Sequence, residues 1–299
     1  MPALRIATRG SAQARWQAEE VARLVRLADP KVDAELVIVE TVGDRRRDVP
    51  IVEMGGQGVF VKEVEAAVVD GRADVAVHSA KDLPSSSSTG DLLIGAVLER
   101  ADPRDALVGS TLENLPAGAT VATGSVRRRA QLAWLRPDLT FADLRGNIPT
   151  RLEKVPPGGA VVVAAAALSR LGLLERADEV LDISAMLPQV AQGAIAVEYR
   201  EAERAVGELL AAIDHLPTRT AVECERGFLA RLGGGCDLPV GAYARVDAER
   251  INVEGMLASA DGRVMLRADR QGPSVAPAEL GLRLADDLLA AGGSELLAG

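Results

Sequence analysis

Aromatic residues make up only 2% of this 299-residue chain, cysteine and histidine occur twice each, and lysine is confined to Lys31, Lys62, Lys81 and Lys154. Each shortage excludes something. Cys224 and Cys236 cannot build a disulfide framework in a chain this long, and His78 and His215 lie too far apart for ligand spacing. Neither a disulfide scaffold nor a structural metal site is expected. No apolar run approaches the length that crosses a bilayer, and Met-Pro-Ala-Leu-Arg-Ile leads into strand-like sequence instead of a signal peptide. The expectation is a soluble, cytoplasmic protein with no membrane partner. The 43 acidic residues outnumber the 34 basic ones for a net charge of −9, so the broad cationic surface of a nucleic-acid binder is missing.

What is present is enough apolar sequence, 48% of positions, to fill two or three cores. Leu4 to Thr8 reads as a buried strand, and Ser11 is placed to cap an amphipathic helix carrying Trp16, Val21, Leu24 and Val25, which Pro30 closes. Strand-like and helical stretches then alternate: Ala34 to Val39, Phe60 to Val69, and Ala73 to Val77. The alternation resumes with Thr120 to Ala122, Val126 to Leu135, Thr140 to Leu144 and the apolar run Ala160 to Ala167. Two α/β units with mostly parallel sheets are implied. Glu99 to Arg104 is a charged, proline-containing stretch suited to a linker, and the chain is expected to cross back near Val190 to Glu198. After Pro217 a helix precedes three closely spaced strands, Val240 to Val246, Ile251 to Leu257 and Arg263 to Ala268, then a helix from Ala278. That spacing favours an antiparallel α+β domain.

Three features carry candidate chemistry. Ala221, Cys224, Phe228 and Leu232 recur at helical spacing, which assigns Cys224 to a packed face. Cys236, by contrast, follows Gly233, Gly234 and Gly235, where a helix should end and leave the sulfur clear of neighbouring bulk. An ordinary loop cysteine has the same local sequence. The second feature is DVAVHSAKDLP, in which a buried strand delivers His78, Ser79, Lys81 and Asp82 to its carboxyl end, where open α/β sheets bind ligands. His78 and Ser79 point to opposite faces and do not make a base and nucleophile pair. The third is a set of arginines near element ends: Arg9, Arg127, Arg128, Arg129, Arg145, Arg151 and Arg170. Converging guanidinium forks suit a polycarboxylate, whereas a solvated helix face would produce the same letters. The GGQG at Gly55 to Gly58 lacks the Lys and Ser/Thr of a phosphate-binding loop.

In order, the motifs IATRGSAQA, GGQGVFVKEVE, RADVAVHSAKDLP, ERADPRDAL, TGSVRRRAQL, LRGNIPTRL, LSRLGL, PQVAQGAIAVE and GGGCDLPVGAYA resemble those of the porphobilinogen deaminase (hydroxymethylbilane synthase) family. The resemblance spans nearly the whole chain. It implies a transferase of tetrapyrrole (haem) biosynthesis that joins four porphobilinogen molecules head to tail, releasing ammonia, to give hydroxymethylbilane. It implies a dipyrromethane cofactor, thioether-linked to Cys236, that primes the growing chain. Asp82 matches the family's catalytic aspartate, which stabilises a cationic azafulvene. Lys81, Asp82, Ser79, Thr123, Ser125, Arg127, Arg128, Arg145 and Gln192 match cofactor-binding positions, and Arg9, Ser11, Phe60, Arg151 and Arg170 match substrate-binding ones. The implied fold is two periplasmic-binding-protein-like α/β domains, residues 1–98 with about 194–214 and residues 99–193, plus a third α+β domain, residues 217–299, with a three-stranded antiparallel sheet. A monomer is expected, whose partners are porphobilinogen and the growing oligopyrrole. Gln57, Gly124 and Ala167 depart from the usual lysine, serine and glycine. A small-anion binding protein would share the two-lobed architecture but need neither Cys236 nor a third domain. Another thiol-dependent transferase would use Cys236 but lacks an evident base.

Overall fold

The computed structural model describes residues 3–41, 43, 58, 61–84, 92–234 and 238–298. Phe60, Gln57, Cys236 and the serine run at 85–88 therefore lie outside the described residues. The chain opens with β1 (Leu4–Arg9), α1 (Ala12–Ala28), β2 (Ala34–Val39), α2 (Lys62–Val69), β3 (Val75–Ser79) and β4 (Leu92–Val97). It continues through β5 (Asp105–Val108), β6 (Thr120–Ala122), α3 (Val126–Leu135), β7 (Thr140–Ala142), α4 (Ile148–Leu152), β8 (Ala160–Ala164), α5 (Ala165–Arg170) and β9 (Glu179–Val180). Next come β10 (Ile195–Arg200), α6 (Arg204–Ala211), α7 (Leu216–Arg231), β11 (Val240–Asp247), β12 (Arg250–Ala258), β13 (Met265–Pro273), α8 (Pro277–Leu288) and α9 (Ser294–Ala298).

These elements form two compact units, one of residues Met1–Ala101 and Ala194–Arg219, the other of Asp102–Gly193 and Thr220–Gly299. The first contains a five-stranded sheet in the order β2-β1-β3-β10-β4, with β1 parallel to β2 and β3 and with β10 antiparallel to both of its neighbours. Apolar residues of α1 and α6 cover one face, Val21, Val25 and Leu210 among them, and α2 covers the other with Val64 and Val68. Ser11 caps α1 by accepting the amide of Ala14 at 3.2 Å.

The second unit repeats the pattern. Its sheet runs β7-β6-β8-β5-β9, with β6 parallel to β7 and β8 and with β5 antiparallel to β8 and β9. Every residue of β8, AVVVA, is buried, as expected for a strand covered on both faces. The same unit holds the three-stranded antiparallel sheet β11-β12-β13. Phe228 of α7 and Leu284 of α8 pack over Gly255 of β12, and burying an aromatic side chain of that size contributes about 1.5–3 kcal/mol. The fold class is therefore the expected one, two α/β sheets and a small α+β element.

Several boundaries differ from the sequence reading, each for a local reason. The sheets are not simply parallel: each has one reversed strand, and it is the strand laid down immediately after the chain passes from one unit's residues to the other's. The apolar run at 160–167 is not one element but strand β8 turning into α5 at Ala165. The last strand starts at Met265 because a tight turn occupies the preceding residues, with the Ser259 hydroxyl on Asp261 at 2.6 Å and the Ser259 amide on the Val264 carbonyl at 2.9 Å.

Candidate functional site

The first unit gathers its candidates at one sheet edge. Because β1 and β3 are parallel, with Ala7 opposite Ala76, their carboxyl ends share that edge, bringing Arg9 and Ser11 to the same side as Ser79, Lys81 and Asp82. Gln17 of α1, 2% exposed, ties that helix to the end of β3 by donating to the Ser79 hydroxyl at 2.9 Å. Next to Ser79, His78 turns to the opposite face, where Nε2 lies 3.2 Å from the Glu198 carboxylate of β10. The separation of His78 from Ser79 excludes a hydrolytic pair, as their adjacency on a strand dictates. Beyond β3 the backbone makes one tight turn, Ala80–Asp82, anchored by the Ala80 amide on the Ala194 carbonyl at 3.1 Å. Asp82 is half-buried at this turn, and its carboxylate has no hydrogen-bond partner among the described residues.

The second unit's candidates centre on a residue that sequence reasoning passed over. Asp105, the first residue of β5, is fully buried. Arg127 Nη2 donates to its Oδ2 at 2.7 Å, Arg128 donates to Oδ1 through Nε at 3.0 Å and Nη2 at 2.7 Å, and Gln192 Nε2 reaches Oδ1 at 2.9 Å. Arg127 also donates to the Leu187 carbonyl at 2.6 Å and Arg128 to that of Val162 at 3.0 Å. The two arginines are 3% and 6% exposed, so they are not a solvated helix face. Burial alone would push the Asp105 carboxyl up, but the charges of Arg127 and Arg128, with hydrogen bonds from Arg128 and Gln192, hold it well below the usual carboxylate range. The fork is thus occupied by an internal carboxylate, and Arg127, Arg128 and Gln192 are brought together.

Other residues surround this network in sequence without all meeting on it. The Thr123 hydroxyl accepts the Ser125 amide at 3.2 Å, and Ser125 Oγ caps α3 by accepting the Arg128 amide at 3.4 Å. The start of α3 thereby presents backbone donors, and Arg127 and Arg128 follow within its first turn. Gly124 explains one departure from the family pattern: a Cβ there would sit 2.8 Å from the Leu144 carbonyl oxygen, so no side chain fits without backbone movement. Arg170, 7% exposed at the end of α5, donates to the Gly193 carbonyl at 2.7 Å, and burial lowers its guanidinium to about 10. Arg151 folds back onto its own loop, with Nε on the Gly146 carbonyl at 2.8 Å, and the half-buried Arg145 precedes that loop. Ala167 is buried within α5.

Cys224 is fully buried, and desolvation, reinforced by the neighbouring charge of Glu225, pushes its thiol up to about 12. Its backbone is also pressed by α8 at Gly281, where a Cβ would collide with the Cys224 carbonyl. It is a packing residue with almost no thiolate at neutral pH. Among the described residues there is no cluster of three metal-ligating side chains, and no helix is long and apolar enough to cross a membrane.

One α/β unit thus carries a carboxylate at the carboxyl edge of its sheet, and the other, taken by itself, carries guanidinium groups buried at the start of a helix. The family model described as "Porphobilinogen deaminase, dipyromethane cofactor binding domain" matches residues 4–208, and "Porphobilinogen deaminase, C-terminal domain" matches residues 219–290. The porphobilinogen deaminase of Moorella thermoacetica is 46% identical over 299 residues, covering 98% of this chain and 95% of that protein. That of Nitratidesulfovibrio vulgaris (Hildenborough) is 45% identical over 304 residues, covering 99% and 96% respectively. Among solved structures, the methionine binding protein MetQ aligns over 70% of this chain and 89% of its own with a TM-score of 0.44 and 14% identity. The chain belongs to the porphobilinogen deaminase family.

Proposed function

We propose that this protein condenses four porphobilinogen molecules head to tail, with loss of ammonia at each addition and uptake of one water on release of the chain, to give hydroxymethylbilane for tetrapyrrole synthesis. The observation that carries the reading is Asp82: a half-buried carboxylate with no hydrogen-bond partner among the described residues, on a tight turn at the carboxyl edge of a sheet, in a chain of this family. Loss of ammonia from an aminomethylpyrrole leaves positive charge on the substrate, and a fixed carboxylate held at that point lowers the energy of the charge as it develops. The reading also assigns Asp82 the transfer of a proton on a pyrrole nitrogen, which a carboxylate can take or return.

The dipyrromethane cofactor carries acetate and propionate groups, and the donor set fits such a ligand: guanidinium forks, hydroxyls and the free amides at the start of α3. When bound, it supplies the primer to which the first substrate is joined. The reading assigns its attachment to Cys236 and its carboxylates to Ser79, Lys81, Thr123, Ser125, Arg127, Arg128, Arg145 and Gln192. It assigns substrate carboxylates to Arg9, Ser11, Arg151 and Arg170, and a pyrrole-stacking role to Phe60. Arg127 and Arg128 would then share themselves between Asp105 and the ligand, which their five-donor guanidinium groups allow. Three domains are assigned: residues 1–98 with about 194–214, residues 99–193, and residues 217–299. The enzyme is assigned to the cytoplasm as a monomer.

Intact mass of the purified protein tests the reading, since it should show an excess equal to a dipyrromethane, together with porphobilinogen-dependent release of ammonia. A protein with neither would overturn it. Asp82→Asn keeps the size of the side chain and removes the charge, and turnover should fall about a hundredfold or more while porphobilinogen binding changes far less. A variant that retains over half of wild-type turnover removes Asp82 from the mechanism.

A further inference from the structure

The segment from Leu187 to Gly193, on which Gln192 sits, is held by side chains from several elements. Gln131 Nε2 and Arg127 Nη1 both donate to the Leu187 carbonyl, at 2.9 and 2.6 Å, while the Leu187 amide donates back to Gln131 Oε1 at 2.8 Å. The Ala242 amide of β11 donates to the Pro188 carbonyl at 3.2 Å. Gln192 donates to Asp105 and to the Pro103 carbonyl, at 2.9 and 2.7 Å, and Arg170 donates to the Gly193 carbonyl at 2.7 Å. Between these anchors lies Ala191, fully buried with φ of 60°, one of two non-glycine residues at positive φ among the described residues. A residue with a Cβ resists that region and stays there only when its surroundings over-determine it.

The over-determining group is Glu225 of α7. Its Oε2 accepts the Ala191 amide at 2.6 Å and its Oε1 accepts the Ala244 amide of β11 at 2.8 Å. Glu225 is 0% exposed, and burying a carboxylate is costly unless its oxygens are satisfied. A carboxylate is also the side chain with two acceptor oxygens at this reach, whereas glutamine offers one acceptor and one donor. One buried acid thus ties together α7, β11 and a left-handed turn. We infer that Glu225 is a positioning residue for the reaction proposed above: it clamps Ala191 so that the next two residues present Gln192 to Asp105 and the Gly193 carbonyl to Arg170. Helix α7, which ends at Arg231 five residues before Cys236 in the sequence, is thereby coupled to the guanidinium cluster at Asp105. The inference rests on that reading of Gln192 and Arg170 as site residues.

Glu225→Gln is the test, measured on protein whose cofactor loading is verified by intact mass. Displacing site residues by a fraction of a bond length should slow kcat about tenfold or more, with a smaller change in KM. Val222→Ala, a core truncation on the same helix at a residue 2% exposed, is the comparison: it should lower Tm while kcat stays close to wild type. Ala191→Gly in the Glu225→Gln background should restore much of the lost turnover, because glycine adopts positive φ without a clamp. If Glu225→Gln alone does not accumulate as folded protein, the double variant decides, with near-wild-type turnover supporting the clamp and slow turnover overturning it. The inference is also overturned if Glu225→Gln keeps wild-type kcat, or loses turnover only in step with a Tm change that Val222→Ala reproduces. Wild-type protein without adduct or turnover would instead sink the proposed reaction, so the two failures are separable.

Discussion

Cys236→Ser is expected to yield a folded protein at the mass of the bare polypeptide and with no measurable turnover. The substitution exchanges a single atom, so the fold has little reason to change, but a serine hydroxyl at neutral pH is a far poorer nucleophile than a thiolate. Without the covalent primer no chain can start. Cys224→Ser is the matched experiment, and its expected outcome is the reverse. A hydroxyl is costlier to bury than a thiol, by about 1–3 kcal/mol where its own proton finds no acceptor, even though the Gly281 amide that now faces the sulfur could reach its oxygen, so that variant should melt earlier yet carry the full adduct mass. The structure supplies the reason for the asymmetry: Cys224 is sealed in a helix crossing with its thiol pushed up to about 12. An adduct retained by Cys236→Ser and lost by Cys224→Ser would reverse the assignment.

Much of this architecture is legible in the sequence because local patterns suffice for it. The buried strand Ala160–Ala164 is a continuous apolar run, Leu4–Arg9 places Leu4, Ile6 and Ala7 in the core between polar residues, and α1 repeats its apolar residues at helical spacing from a serine cap. Asp82 is legible for the same reason, since the strand that delivers it lies immediately before it in the chain. Strand direction is not local information. Nothing in the letters of β5 or β10 says that each runs against its neighbours, because that follows from where the chain has just been. Asp105 was obscured twice over: as a charge opening the strand DALV it extended the linker-like stretch before it, and its partners Arg127 and Arg128 lie 22 and 23 residues away. The signal was an acid at the head of an otherwise apolar run. Glu225 left a similar trace. It falls four residues after Ala221 on the stripe that also holds Cys224 and Phe228, where a carboxylate is out of place unless something buried needs it. Gln17 and Ser79, 62 residues apart, left no trace at all.

Asp105→Asn should be among the most destabilising single changes in the chain. It keeps the side chain's volume and removes the charge that two buried guanidinium groups face at 2.7 Å. Breaking a buried ion pair from one side typically costs about 3–5 kcal/mol, most of it the penalty of leaving the remaining charge uncompensated. In a unit of this size that corresponds to a fall in Tm of roughly 6–20 °C. The pH dependence gives a second, independent readout. The Asp105 carboxyl is held below its unfolded value, so its contribution is complete above the ordinary carboxylate pKa of about 4 and is lost as pH falls through the lowered folded value. Wild-type protein should therefore lose stability in acid more steeply than Asp105→Asn, with the two curves converging at low pH. Replacing Asp105, Arg127 and Arg128 together by Leu, Met and Met separates stability from ligand binding. Apolar replacement of a whole buried charge cluster is often neutral or better for stability, yet it removes both guanidinium forks. The triple variant should fold, melt well above Asp105→Asn and lack the dipyrromethane mass. A triple variant that folds and still carries the adduct would show that the buried cluster serves the fold alone, and a single Asn substitution that leaves Tm unchanged would contradict the burial of the pair itself.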